Sequence, residues 1–267
     1  MTESTEPAIV AGVDGSPSAL NAARWAAHEA ALRPLPLRLV HVGTTGACLG
    51  EAQEQAQAAE PGVRIHTRLR TGAAAASLID EAETARLMVL GSRGLGGFPG
   101  MLLGSVSSAL ATHAPCPVVV VRDAPPQRGP VVVGVDASAS SDAAIAFDAA
   151  ARRQAPLIAL HTWTWTDMTL GETWSVLPID VDYAEVAEDE RRLLAERLAG
   201  WREKFPDVDL GQRAVRDRPV RGLLAEARDA QLIVVGSRGR HAPDGMGLGS
   251  TSQALLHHSP CPVALVR

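Results

Sequence analysis

The sequence predicts an α/β protein made of two tandem domains, each an open five-stranded parallel sheet with helices on both faces. Two observations carry this: strand-like and helix-like segments alternate along the chain, and the second half repeats the first. Strands joined through helices run parallel, and the helices cover both faces.

The repeat is visible in three places. GSRGLGGFPGMLLGSVSSAL, Gly91 to Leu110, returns as GSRGRHAPDGMGLGSTSQAL, Gly236 to Leu255, 236 − 91 = 145 residues later. AGVDGSPSALNAARWAA, Ala11 to Ala27, resembles VGVDASASSDAAIAFDAA, Val133 to Ala150, with Asp14 and Asp136 separated by 136 − 14 = 122 residues. APCPVVVVR closes the first copy at Arg122 and SPCPVALVR closes the second at Arg267. The first domain is therefore read as residues 1–123 and the second as 131–267, joined by a linker at 124–130 within the proline-rich DAPPQRGP.

The elements follow in order. AIVAGV, from Ala8, is a short apolar run stopped by turn residues, and a helix follows from about Ser18 to Leu32. PLPLRLVHV supplies the second strand, Val63 to Leu69 the third, Leu87 to Leu90 the fourth and Val118 to Val121 the fifth, with helices near Glu51, Ala73 and Ser105. The second copy places strands at Val131, Leu157, Leu210, Leu232 and Val263. Its second helix, Tyr183 to Phe205, is long and charged, whereas EAQEQAQAAEPG in the first copy ends after about three turns, and the 145 − 122 = 23 extra residues are assigned to this helix. The two closing strands are short and apolar and stand at sheet edges, so the two copies are expected to cover each other as an internal pseudo-dimer, with a homodimer as a further option.

Composition excludes several functions. The chain has 267 residues, 46% hydrophobic and 21% charged, the mixture of a globular protein with a full core in each copy. The formal charge is 25 − 30 = −5 with no run of Lys or Arg, which argues against a nucleic-acid partner. MTESTEPAIV lacks a basic stretch followed by an apolar one, and no apolar segment approaches a membrane span, so the expectation is a cytoplasmic protein with no membrane association. Cys48, Cys116 and Cys261 have neither paired spacing nor a neighbouring His cluster, so no metal site is read.

The glycine-rich stretch follows the fourth strand and precedes the fourth helix, where open parallel sheets bind ligands. Its spacing is G-x2-G-x9-G-S in both copies: Gly91, Gly94, Gly104-Ser105 and Gly236, Gly239, Gly249-Ser250. Glycine lets backbone approach a ligand, a helix start offers unpaired N–H groups to an anion, and Ser105 or Ser107 adds a hydroxyl. This points to phosphate, although such glycines can also turn a tight corner. The spacing is neither a P-loop nor the G-x-G-x-x-G fingerprint.

With its GVD strand endings and P-C-P-V closing strands, the chain resembles the universal stress protein family, in its ATP-binding branch and tandem form, over nearly its whole length. The resemblance implies Rossmann-like domains of the adenine nucleotide alpha-hydrolase-like type. It implies a nucleotide-dependent regulator of stress responses, not an enzyme, that binds ATP with Mg2+ and acts on protein partners. By position, Gly12, Val13 and Asp14, and likewise Gly134, Val135 and Asp136, would meet the nucleoside, and Val42 and Thr162 would lie near the base. Leu90 and Val235 would flank adenine. Gly91 and Gly94, with Gly236 and Gly239, would approach ribose. Gly104, Ser105, Val106 and Ser107, with Gly249, Ser250, Thr251 and Ser252, would hold phosphates.

Several residues keep two readings. Asp14 and Asp136 suit a ribose hydroxyl or base amine, or a helix cap. Arg93 and Arg238 are placed to reach phosphate or to stay solvated. His41 and His161 read as packed, hydrogen-bonded histidines ahead of metal ligands, and Trp163, Trp165 and Trp174 as packing ahead of a partner patch. Asp244, in the second nine-residue loop, would repel phosphate, with Arg240 and His241 as offsets, and Thr162 departs from an apolar base contact. Two alternatives to the regulator stay open: an ATP-cleaving enzyme of the same fold, and a structural dimerisation module whose glycines only turn corners.

Overall fold

The computed structural model describes residues 6–95, 103–124, 126, 128–136, 141–164, 183–238 and 247–267. The first half runs β1 (Ala8–Gly12), α1 (Pro17–Leu32), β2 (Leu37–Val42), α2 (Ala47–Ala59), β3 (Ile65–Arg70), α3 (Ala74–Ala82), β4 (Ala85–Gly91), α4 (Ser105–His113) and β5 (Val118–Val121). The second runs β6 (Val131–Gly134), α5 (Ser141–Arg153), β7 (Leu157–Trp163), α6 (Tyr183–Lys204), β8 (Leu210–Arg216), α7 (Pro219–Glu226), β9 (Leu232–Gly236), α8 (Ser250–His258) and β10 (Val263–Val266).

Local chemistry sets these boundaries. Every residue of β1 is buried, as a central parallel strand requires. Ser16 caps α1 by accepting the Ala19 amide, and Pro17 enters the first turn, where its missing N–H costs nothing. Along β5 the pleat sends Val119 and Val121 to one face and Val118 and Val120 to the other. Two apolar layers result: α1, α2, α5 and α6 pack on one face, and α3, α4, α7 and α8 on the other.

The strand order is β3-β2-β1-β4-β5-β10-β9-β6-β7-β8. Each half is a parallel five-stranded sheet, and the halves fuse where β5 and β10 pair antiparallel, Val118 opposite Leu265 and Val120 opposite Val263. The closing strands thus cover each other within one chain, and the described sheet ends on β3 and β8. Arg68 and Arg70 on β3, and Arg213 and Arg216 on β8, put charge on those edges. The connection between the halves is anchored at its end: Gln231 donates to the Gly129 carbonyl at 2.6 Å, and Gly129, at φ +131° and tight against the Asp229 carbonyl, has neither the backbone conformation nor the room for a side chain.

The 23 extra residues are only partly in the second helix. That helix has 22 residues against 13 in α2, a gain of nine, and most of the rest fall between β7 and α6. Phe147 on α5 stacks with Trp201 and Phe205 at the end of that helix, at 6.4 and 5.7 Å between ring centroids.

Where α1 meets α5, Glu29 is almost wholly buried, at 1% exposure, and binds Arg33 on its own side of the seam and Arg153 on the other. Arg33 also reaches Asp148 at 3.2 Å, and the Arg153 guanidinium lies 5.6 Å from the Trp25 ring. Burial pushes both Arg33 and Arg153 down to about 10, still charged at neutral pH. Replacing Glu29 with Gln leaves two buried guanidinium groups short of their anion, and we expect a loss of about 3–5 kcal/mol in urea unfolding. A loss under about 1 kcal/mol would show that this cluster does not hold the seam.

Candidate functional site

Above the carboxyl ends of β1 and β4 lies a cavity of about 380 Å3. All twelve residues picked out in the first copy line it, from Gly12, Val13 and Asp14 through Val42, Leu90, Gly91, Arg93 and Gly94 to Gly104, Ser105, Val106 and Ser107. The sequence reading missed its apolar wall: Val40, and Ala74 and Leu78 from α3. The signal was available in the period of ASLIDEA, which aims Leu78 inward.

Asp14 is fixed from two sides. One carboxylate oxygen accepts the Ser16 amide at 3.0 Å and the other the Leu95 amide at 3.0 Å. The helix cap is Ser16, so the capping alternative for Asp14 gives way to a loop tie. The Arg93 carbonyl accepts the hydroxyls of Ser16 and Ser18, joining the same loop to the start of α1, while the Arg93 side chain is exposed at the cavity. His41 donates from Nδ1 to the Val13 carbonyl at 2.8 Å, the packed role expected of it.

The three motif glycines have different causes. A Cβ on Gly91 would stand 2.7 Å from backbone atoms of Ser18 and Ala19, so this glycine lets β4 touch α1. A Cβ on Gly94 would collide with Asp14 Oδ2. Gly104 differs: its φ of −74° and ψ of 154° suit any residue, and a Cβ would meet nothing closer than 3.6 Å. It sits at the N-cap of α4, where Ser, Thr, Asp or Asn is preferred, and no side chain caps that helix. The protein's own packing gives no reason for glycine here.

Ser107 corrects the expectation of a free phosphate donor. Its hydroxyl is buried and donates to the Gly91 carbonyl at 2.7 Å, tying α4 to the end of β4, and Ser252 repeats this on the Gly236 carbonyl at 2.7 Å. Ser105 is exposed at the first position of α4. The Gly104 amide donates to Ser92 O at 2.8 Å and the Gly249 amide to Ser237 O at 2.9 Å, so both helix starts are held in the same way.

The second crevice shares this frame with different contents. Gly134 lies against Val235 and Leu223, Gly249 caps α8 with no side-chain bond, and Ser250 and Thr251 open that helix. The Thr162 methyl packs toward Gly222 on α7. His161 donates from Nδ1 to the Val135 carbonyl at 2.8 Å, and its Nε2 meets Glu190 of α6 at 2.8 Å. Gly236 has Asp142 beside it, whose Oδ2 is 3.9 Å from where a Cβ would be. Asp142 is buried, and burial, then the neighbouring Asp136 charge, push its carboxyl above the usual carboxylate range. Arg238 is exposed. Gly239, Arg240, His241 and Asp244 lie outside the described residues, as do Trp165 and Trp174, while Trp163 is core.

The cysteines take no part. Burial pushes Cys116 and Cys261 up to about 11, and among the described residues no group of three or more His, Cys, Asp or Glu is placed to hold a metal.

The sequence model described as the Universal stress protein family matches residues 7–48, 43–122 and 128–267. A universal stress protein of Mycobacterium tuberculosis is 38% identical over 97% of this chain and 96% of its own length, and one from Mycolicibacterium smegmatis is 40% identical over 98% of each. The crystal structure of a universal stress protein from Archaeoglobus fulgidus overlays with a TM-score of 0.65 over 97% of this chain and 98% of that one, at 20% identity, a likeness of fold.

Two outcomes follow for stability. Gly94→Ala must displace Asp14 and should cost about 1–3 kcal/mol, whereas Gly104→Ala should stay within about 1 kcal/mol of the parent; equal costs in urea unfolding would contradict the different causes given for the two glycines. Asp142 binds its proton more tightly folded than unfolded, so its contribution is present at acid pH and lost as pH rises through the raised folded value. Asp142→Asn should therefore stabilise the fold at pH 7, with the gain shrinking toward pH 4; destabilisation at pH 7 would contradict this.

Proposed function

The chain belongs to the universal stress protein family, and on that premise we propose that it is a nucleotide-dependent regulator that binds ATP in its first crevice. The observation that carries this reading is Gly104. A glycine with ordinary backbone angles, room for a side-chain carbon at ordinary contact distance and an uncapped helix behind it is explained by a ligand that must come close. Phosphate suits that place, because the first amides of α4 lack intrahelical partners and the Ser105 hydroxyl stands among them.

The rest of the cavity suits a nucleoside. Val13, Val40, Val42, Leu78 and Leu90 make an apolar slot for a base. Asp14 lines the same cavity, and a carboxylate has about four acceptor positions, so the two amides it already accepts leave room for a ribose hydroxyl. Mg2+ would enter on the nucleotide, since it keeps several waters and binds mainly phosphate oxygens. Bound with ATP, it would neutralise charge that Arg93 alone cannot.

A regulator fits these residues better than an ATP-cleaving enzyme. Phosphoryl transfer needs a positioned base and metal-holding carboxylates beside the phosphates. Among the described residues lining this cavity the acid is Asp14, with no second carboxylate beside it to complete a metal-holding pair. A ligand on Asp14 would instead be felt at Leu95, whose amide shares that carboxylate and whose side chain is 72% exposed. Such a change of surface is what a protein partner would read.

ATP with Mg2+ at ~100 times Kd should stabilise the fold by about 2.7 kcal/mol, read as a shift of the melting curve. Gly104→Val, which fills the approach to α4, should abolish the part due to this crevice. An unchanged melting curve at saturating ATP would remove the nucleotide reading, and turnover near the enzyme median of about 10 per second would replace the regulator with a catalyst.

A further inference from the structure

We propose that Asp142 makes the two crevices unequal, so that the second binds a nucleoside triphosphate more weakly than the first. This rests on the nucleotide reading of the first crevice and adds a determinant that divides the chain into one strong and one weak site.

The two halves share a frame down to single hydrogen bonds: Ser107 and Ser252 hold the Gly91 and Gly236 carbonyls, and the Gly104 and Gly249 amides reach Ser92 and Ser237. Within that frame the neighbour of the motif glycine changes. Gly91 lies against Ser18 and Ala19 at the start of α1, a helix with no acid in its first turn, and Ala19 lines the cavity. Gly236 lies near Asp142 in the first turn of α5. Asp142 is buried, so solvent screens it poorly, and the neighbouring charge acting on it is Asp136, of the same sign.

The strand end beside Asp142 is the one to which α8 is tied. An anion taken by the first amides of α8 would therefore share that strand end with a buried carboxylate. The start of α5, which would otherwise favour an incoming anion, already has one of its own. At ~7 Å and an effective dielectric of ~20–40, one like-charge pair weakens binding by roughly tenfold to fiftyfold. The first crevice has no counterpart to Asp142, since the first turn of α1 holds no acidic residue, and Asp14, which corresponds to Asp136, is common to both halves.

The test is calorimetric titration of ATP·Mg2+ into the full chain and into Asp142→Asn, Gly104→Val and the double variant, with adenosine as a ligand lacking phosphate. Asn keeps the acceptor oxygen that takes the Ala143 amide at 3.1 Å, and Asp142→Ala serves as a second variant. We expect one tight site and one at least tenfold weaker in the parent. Asp142→Asn should tighten the weak site about tenfold or more and leave the tight one alone, Gly104→Val should retain only the weak site, and the double variant should keep one tightened site. Adenosine should not respond to Asp142→Asn. Two equal sites in the parent, an unmoved weak site in both Asp142 variants, or an equal effect on adenosine would overturn the role of Asp142 while leaving ATP binding in place. No binding in any variant would instead remove the nucleotide reading on which the proposal rests.

Discussion

The hydrogen-bonded pairing of β1 with β4 is the constraint on which the rest of this molecule depends. From β1 the chain turns through α1 toward β2, and from β4 it turns the other way, through α4 toward β5. Two neighbouring strands whose following helices lie on opposite faces must part at their carboxyl ends, and the gap between them is the crevice. Asp14 ends one strand's loop and Gly91 to Gly94 begin the other, so the contact of Asp14 with the Leu95 amide spans that gap. The same pairing recurs between β6 and β9, and the second crevice is its product.

A duplicated chain is free to let one copy drift while the other keeps the work. The antiparallel pairing of β5 with β10 and the buried cluster around Glu29 tie the halves into one sheet, so the fold of each supports the other regardless of ligand. That freedom is visible in the buried carboxylate of Asp142 and in the ion pair of His161 with Glu190, neither of which appears in the first crevice. The longer helix α6 supplies Glu190, so the drift in length and the drift in chemistry are linked.

Much of this was legible in the sequence because duplication makes a weak signal count twice. The alternation of strands and helices, the mutual cover of the closing strands and the glycines at the end of β4 and the start of α4 follow from the repeated strand-glycine-helix unit, whereas the other lining residues of the first crevice, such as Val42 and Leu90, came from the family resemblance. What was not legible depended on which side of a backbone a group faces. Gly91, Gly94 and Gly104 look alike in a motif, yet the first exists for α1, the second for Asp14, and only the third has room for a side-chain carbon. Ser107 reads as a phosphate donor until its hydroxyl is found on the Gly91 carbonyl. Asp142 was invisible because a helix-start acid is ordinary, and its meaning comes from burial beside Gly236.

The central claim is that the space left by Gly104 belongs to a nucleotide phosphate. The most direct measurement is a native mass spectrum of the full chain and of Gly104→Val after incubation with ATP and Mg2+, with the released nucleotide identified. The account predicts an added mass equal to ATP with its metal on the full chain, and loss of the most tightly held nucleotide in the variant. No added mass at any concentration, or the same tight retention in Gly104→Val, would contradict it.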